Sequence, residues 1–417
     1  MKKFIACSFF IIQSTLPLSY QPFFASPRSF PGEPRLTKSW LTTVDVSIRG
    51  GHGEEGHNSY KQTVNPLNIY GCENFRALAQ GVPDSILDCN PTGYINTLWE
   101  QTPRQSNFGL VAVKGKFNLL EFTPSLTQNL KYGFFLSIEI PFGKYSIKDV
   151  TYYDQTTKAS APSEREYYEW QSFMNNIESN LQPYGLWVGN SKVSGIEDIQ
   201  LFGGWSHSFE SLETLDFCDV MLSAGINFPT AKSTPSTAPF CLSLGYNQHV
   251  GLPIIGGFSV GFFDWVTLGI SGATLFFKDK TRNVAMKTAC EQEGWIRMGS
   301  GDANVHQGSY WGLSPFIKAD HLIAGFSLTL GYSYDHQCQT CYSPCDTAAY
   351  NNSIVNSDVK LAPWNMNTFH FTLDFDFASF KHSWAPRIAF TIDKSMSGKR
   401  TFDSSIFGAA LTCDIEW

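Results

Sequence analysis

The chain has 417 residues, of which 15% are Phe, Trp or Tyr and only 16% are charged, against roughly a quarter charged in ordinary soluble domains. Apolar residues make up 42% and mean hydropathy is −0.16. Apolar and polar residues are therefore interleaved, and beyond the first dozen residues no window reaches the ~20 apolar residues that a spanning helix needs. A formal charge of −7, a pI near 5.7 and the lack of a Lys/Arg cluster exclude a nucleic-acid partner.

In chain order, Lys2 and Lys3 precede an apolar run from Phe4 to Ile12, the two parts of an export signal. The expectation is a signal over 1–25, a short periplasmic segment over 26–40 and one barrel over 41–417. Alternation then takes over. Val44, Val46 and Ile48 face Asp45, Ser47 and Arg49; Phe134, Leu136 and Ile138 face Ser137 and Glu139; Phe369, Phe371, Leu373, Phe375 and Phe377 face His370, Thr372, Asp374 and Asp376. Strand side chains point alternately to the two faces, so this rhythm calls for an apolar medium on one side and a polar one on the other.

The rhythm predicts twelve strands, near 41–49, 108–121, 129–141, 195–209, 213–228, 253–263, 265–277, 308–319, 322–336, 366–378, 383–394 and 404–417. The connections between them alternate long and short, which is the topology of an antiparallel up-and-down outer-membrane barrel with both termini on the short-turn side. A soluble β-sandwich produces the same alternation. It gives no reason for the loop asymmetry, nor for Trp40, Trp205, Trp265, Trp311, Trp384, Tyr332 and Tyr334 near strand ends, where a barrel places its aromatic girdles.

One helix is expected, over about 163–181 in the second long loop. Ser163 and Glu166 form a capping box, and Trp170, Phe173, Met174 and Ile177 fall at helical spacing before Pro183 ends the run. That stripe either packs the loops into a cap or folds into the barrel mouth, where it would offer a ligand a greasy contact. By parity, Lys114, Lys116, Glu139, Asp198, Asp374, Asp376 and Arg387 are expected to line the lumen. Opposed charges there would orient solutes in an open pore or pair with one another in a closed one, and the sequence leaves both open.

Cys72, Cys89, Cys338, Cys341 and Cys345 lie in loops and are the disulfide candidates of an exported chain. Cys338, Cys341 and Cys345 beside His336 could also be read as a metal knuckle, but the exported loop favours disulfides, so no metal and no cofactor are expected. An outer-membrane lipid hydrolase needs His and Ser two apart on one face. Ser206 and Ser208 are adjacent to His207 and point away from it. His249 and His306 are lone candidates for a protease-like rim, and no catalytic residue is assigned.

The last segment places Phe407, Leu411, Ile415 and the terminal Trp417 on one parity. It resembles the C-terminal assembly signal of Gram-negative outer-membrane β-barrel proteins, which implies an outer-membrane location, lipid and the barrel-assembly machinery as partners, and an assembly role for Leu411, Ile415 and Trp417. A local resemblance covers Gly195–Leu201 and Ala224–Thr230. It is similar to the strand start and strand-ending Pro-Thr of FadL-like and phenol-degradation-type transporters of hydrophobic compounds. Ala231 replaces the usual Gly, and 26–40 is too short for that family's plug. The resulting expectation is a channel for passive passage of small solutes, hydrophobic ones among them. The alternative is a closed structural or adhesive surface barrel with disulfide-linked loops.

Overall fold

The computed structural model describes residues 40–81, 108–210, 215–263, 265–323, 325–377 and 386–416. The expected signal, the segment after it up to residue 39, Cys89, Trp384 and Trp417 lie outside these residues. The strands are β1 (Leu41–His57), β2 (Leu110–Asn129), β3 (Phe134–Glu139), β4 (Phe142–Asp154), β5 (Ser191–Ile196), β6 (Ile199–Glu210), β7 (Phe217–Phe228), β8 (Gly251–Phe262) and β9 (Val266–Phe277). They continue with β10 (Lys280–Met286), β11 (Gly299–His306), β12 (Tyr310–Ile323), β13 (Phe326–Gln337), β14 (Cys341–Pro344), β15 (Trp364–Asp376), β16 (Pro386–Lys399) and β17 (Thr401–Glu416). Helices α1 (Phe75–Gln80), α2 (Glu164–Asn175), α3 (Ile177–Leu181) and α4 (Asn352–Val355) all lie in the long connections.

All pairing is antiparallel and sequential, and β1 closes the circle by pairing β17 on one side and β2 on the other. The β3–β4 and β5–β6 pairs are each one barrel strand interrupted by a break, at Ile140–Pro141 and Glu197–Asp198, so the barrel has twelve strands as the alternation predicts. Closure leaves no unpaired edge, the condition for backbone to sit in hydrocarbon. No helix of the described residues is long and apolar enough to cross a membrane.

The belt reads as expected. Leu120, Phe122, Leu126, Leu136, Leu201, Leu222, Phe258, Leu268, Leu313, Leu330, Phe369, Phe390 and Leu411 point outward and are exposed. Their inward neighbours Thr123, Thr127, Ser137, Ser223, Thr329, Thr412 and Asp414 are buried. Trp40, Tyr132 and Trp265 are exposed at the short-turn end, and Trp311 and Tyr332 at the long-loop end, as two girdles require. The strands run further than expected at the long-loop end, and β16 and β17 are joined there through Arg400 alone, at φ 60°.

Towards the long-loop end the chain departs from the expected pattern. On β2 the inward residues become apolar: Val111, Val113, Phe117 and Leu119 are buried, joined by Tyr145 and Ile147 of β4 and Phe402 and Ile406 of β17. The long loops fold onto this ring. Leu67, Ile69, Phe75, Leu78, Phe240, Leu244, Trp295 and Ile296 complete one contiguous apolar core that caps the mouth. The strands β10, β11 and β14 form a separate three-stranded sheet within the cap.

Candidate functional site

Beneath the cap, the polar interior of the barrel is built from pairs between and along the strands. Thr43 of β1 donates to Asp414 of β17 at 2.6 Å, and Lys318 pairs with Asp320 two residues on along β12 at 2.6 Å. Arg387 lies 3.8 Å from Asp376, with Asp374 in electrostatic reach of Lys318 and Arg387. These five charged groups gather near the short-turn end. Glu139 is 1% exposed on the inward face beside Ser137. Asp198 is anchored by the amides of Tyr246 (2.6 Å) and Ala231 (3.0 Å) and by Asn227 (3.3 Å), so it ties the third long loop to the wall. Higher up, Arg49 bonds Glu121, and the Tyr145 hydroxyl donates to Glu121 at 2.9 Å and also bonds Glu197.

Lys114 and Lys116 are not in the lumen. Both are exposed on the outer face of β2, where Lys116 pairs with Glu54 at 3.0 Å and Lys114 lies over the Tyr153 ring at 4.2 Å. The parity argument equated apolar with lipid-facing. Above the belt, the apolar face of β2 instead turns inward to meet the cap, and its polar face meets water.

The helix expected over about 163–181 forms but breaks at Asn176 into α2 and α3, and α1 and α4 in other long loops add helices beyond the one the sequence predicts. Ser163 caps α2 by accepting from the Glu166 amide at 3.2 Å. Trp170 and Phe173 are fully buried against Phe75 and Phe108, Ile177 is buried, Met174 packs against the same core, and Trp170 donates to Asp154 at 2.8 Å. The stripe thus packs the loops into a cap, and none of its four residues lines the cavity that opens in that cap. Cys72, Cys338, Cys341 and Cys345 are free thiols, so the expected cross-links among them are not formed. Leu411 and Ile415 are exposed on the lipid-facing side.

The structure brings together a set of loop residues that periodicity does not reveal. A cavity of about 240 Å³ opens in the cap between the third, fourth and fifth long loops. Tyr70, Tyr246, Trp295, Tyr342 and Trp364 supply its rings, and Arg282, Asp358 and Lys360 its charges. Tyr70 meets Trp295 edge-on at 4.8 Å, and the Trp364 indole donates to Gln337 at 2.7 Å, which fixes two of these walls. A largely buried charge cluster that joins three loops adjoins these walls and reaches the cavity through Asp358 and Lys360. Arg297 grips Asp358 with two bonds, at 2.8 and 2.7 Å, and Glu73 accepts from the Trp295 amide at 2.6 Å and from that of Ile296. Lys360 donates to the Trp295 carbonyl at 3.0 Å.

Burial raises the Glu73 carboxyl to about 7 against the pull of the two amides and Arg297. Burial and the nearby Arg297 bring Lys360 down to about 8. Burial alone would raise Asp358, but the charge and bonds of Arg297 outweigh it and hold the carboxyl below its ordinary value. The one sequence signal for this cluster is Trp295-Ile296-Arg297-Met298, an apolar run enclosing a single cation within a loop.

A second constellation has the connectivity of a charge relay. His370 bonds Asp393 at 2.6 Å through Nδ1 and Ser333 at 2.9 Å through Nε2. Ser333 is 1% exposed and also donates to Asp335 at 3.0 Å. Its oxygen is enclosed by its partners, so the arrangement holds three strands in register and offers no face to a substrate carbonyl.

No protein-family model and no curated protein sequence matches this chain. Among solved structures, it is similar to an outer-membrane channel from Pseudomonas putida F1, with a TM-score of 0.51 and 8% identity over 90% of this chain and 96% of that one. The translocator domain of the autotransporter NalP from Neisseria meningitidis aligns at a TM-score of 0.37 and 8% identity, over 91% and 89% of the two chains. A FadL homologue from Pseudomonas aeruginosa aligns at 0.29 and 10%, over 90% of each. At such identities the likeness concerns architecture: the chain folds as a closed twelve-stranded β-barrel of the outer-membrane type.

Proposed function

We propose that the protein is a channel of a Gram-negative-type outer membrane that takes small solutes into a capped mouth and passes them through its polar lumen. The carrying observation is the 240 Å³ cavity at the long-loop end, walled by five aromatic rings. An apolar cavity of roughly 150 Å³ already accepts benzene, so a solute of one or two rings fits. The outward apolar belt and inward polar face support the membrane setting, and the shared architecture with an outer-membrane channel supports passage. Transit then needs the cap to move, because its apolar core closes the mouth. Residues 1–25 would direct export, Leu411, Ile415 and Trp417 would serve assembly, and Glu139, Asp374, Asp376 and Arg387 would line the path. No catalytic role is proposed for the barrel.

A specific observation also favours the second reading, a closed surface barrel: Arg49 with Glu121, His370 with Asp393 and Arg387 with Asp376 pair between adjacent strands on the inner wall, where they neutralise one another. Single-channel recording in planar bilayers separates the two. The channel reading expects stable open steps, larger when residues 164–181 are deleted. Silence of both the full chain and that deletion would favour the closed barrel.

A further inference from the structure

Arg282 stands on β10, the edge strand of the cap sheet, and lines the cavity. Its Nε is buried without a hydrogen-bond partner, and no carboxylate among the described residues forms an ion pair with it. Arg282 is half-buried, and a cation partly withdrawn from water with no anion to pair with loses solvation that nothing restores. Two other guanidiniums of the mouth show the usual solution, since Arg297 holds Asp358 and Arg49 holds Glu121. Asp358 is the one carboxylate on the cavity wall, and both its oxygens are taken by Arg297. With Lys360 as a second cation on the wall, Arg282 faces a cavity whose one carboxylate is already bound by Arg297.

We propose that this cavity binds a small aromatic carboxylate, with Arg282 as the anion anchor. The assignment rests on the channel reading for its role in uptake, but not for the binding itself. The ring would lie among Trp295, Trp364 and Tyr246, and the carboxylate would meet the Arg282 guanidinium, with the Tyr342 hydroxyl beside it. A guanidinium satisfies a carboxylate through parallel N–H bonds, stronger than those to a neutral acceptor, so the site discriminates by charge more than by shape.

Benzoate and its neutral isostere benzamide, titrated into the full-length barrel in detergent, test this, with tryptophan fluorescence and calorimetry as readouts. Benzoate is expected to bind at least ten-fold more tightly than benzamide. Arg282→Gln should erase that preference and Arg282→Lys keep most of it. Equal binding of the two ligands by the unaltered protein overturns the proposal, and so does full benzoate affinity in Arg282→Gln; if that variant does not fold, the first comparison decides. A barrel that prefers benzoate yet stays silent in bilayers keeps this site and loses the channel. One that conducts but ignores the ligand's charge does the reverse.

Discussion

Glu73 and Arg297 show how few charges hold the cap, and why their burial makes it sensitive to pH. Glu73 titrates near 7 in the folded protein and near 4.5 when unfolded. The folded state therefore binds the extra proton between these values, and its stability falls as pH rises across that window. Lys360, lowered to about 8 from 10.5, works oppositely: it weakens the fold at neutral pH, and stability returns as pH climbs from 8 towards 10.5. Glu73→Gln is expected to flatten the loss between pH 4.5 and 7, read by hydrogen exchange of the cap amides; an unchanged slope would mean that Glu73 is not the titrating group. Arg297→Met leaves Asp358 buried without its partner and should destabilise the cap by about 3–5 kcal/mol. Limited proteolysis of the loops, with the barrel intact, would report this.

At the scale of elements, the two-residue rhythm carries a different meaning along a single strand. On β2, Leu120 and Phe122 face outward in the belt, while Val113 and Phe117 face inward a few residues earlier, the alternation of β2 itself continuing although its pairing with β4 shifts register between Lys114 and Lys116. The medium against each face changes instead: lipid outside the belt, and an apolar cap inside the barrel above it. Helix α2 belongs to that cap. Trp170→Ala removes a fully buried ring and should cost the cap about 3–5 kcal/mol. Faster protease cleavage within 155–190 is expected while the barrel keeps its folded, heat-modifiable band on gels. Loss of that band as well would show that barrel and cap do not melt separately.

For the whole molecule, closure of β1 on β17 and the apolar belt set the stability. Leu222 is 58% exposed near the middle of β7. Leu222→Arg should lower the free energy of folding into lipid vesicles by about 2–4 kcal/mol, the cost of a cation near the bilayer midplane. Lys116→Glu, above the belt on a solvated face, should cost under about 1 kcal/mol. Urea titrations of vesicle-inserted protein compare the two, and equal penalties would mean that the belt reaches residue 116.

Strand number, inside-outside alternation in the belt, the long and short ends of the barrel and the second-loop helix were legible in the sequence, because each follows from local spacing against two uniform media. The same rule gives the lumen positions proposed for Asp374, Asp376 and Arg387, which lie on strands whose two faces follow the belt's alternation. It fails for Lys114 and Lys116, because what their strand faces is set by loops distant in sequence. The same holds for the cavity and for the cluster of Glu73, Arg297, Asp358 and Lys360, drawn from three separate loops. Loops carry no periodic constraint, so which of their side chains meet is decided only when the closed barrel brings its long connections together over one mouth.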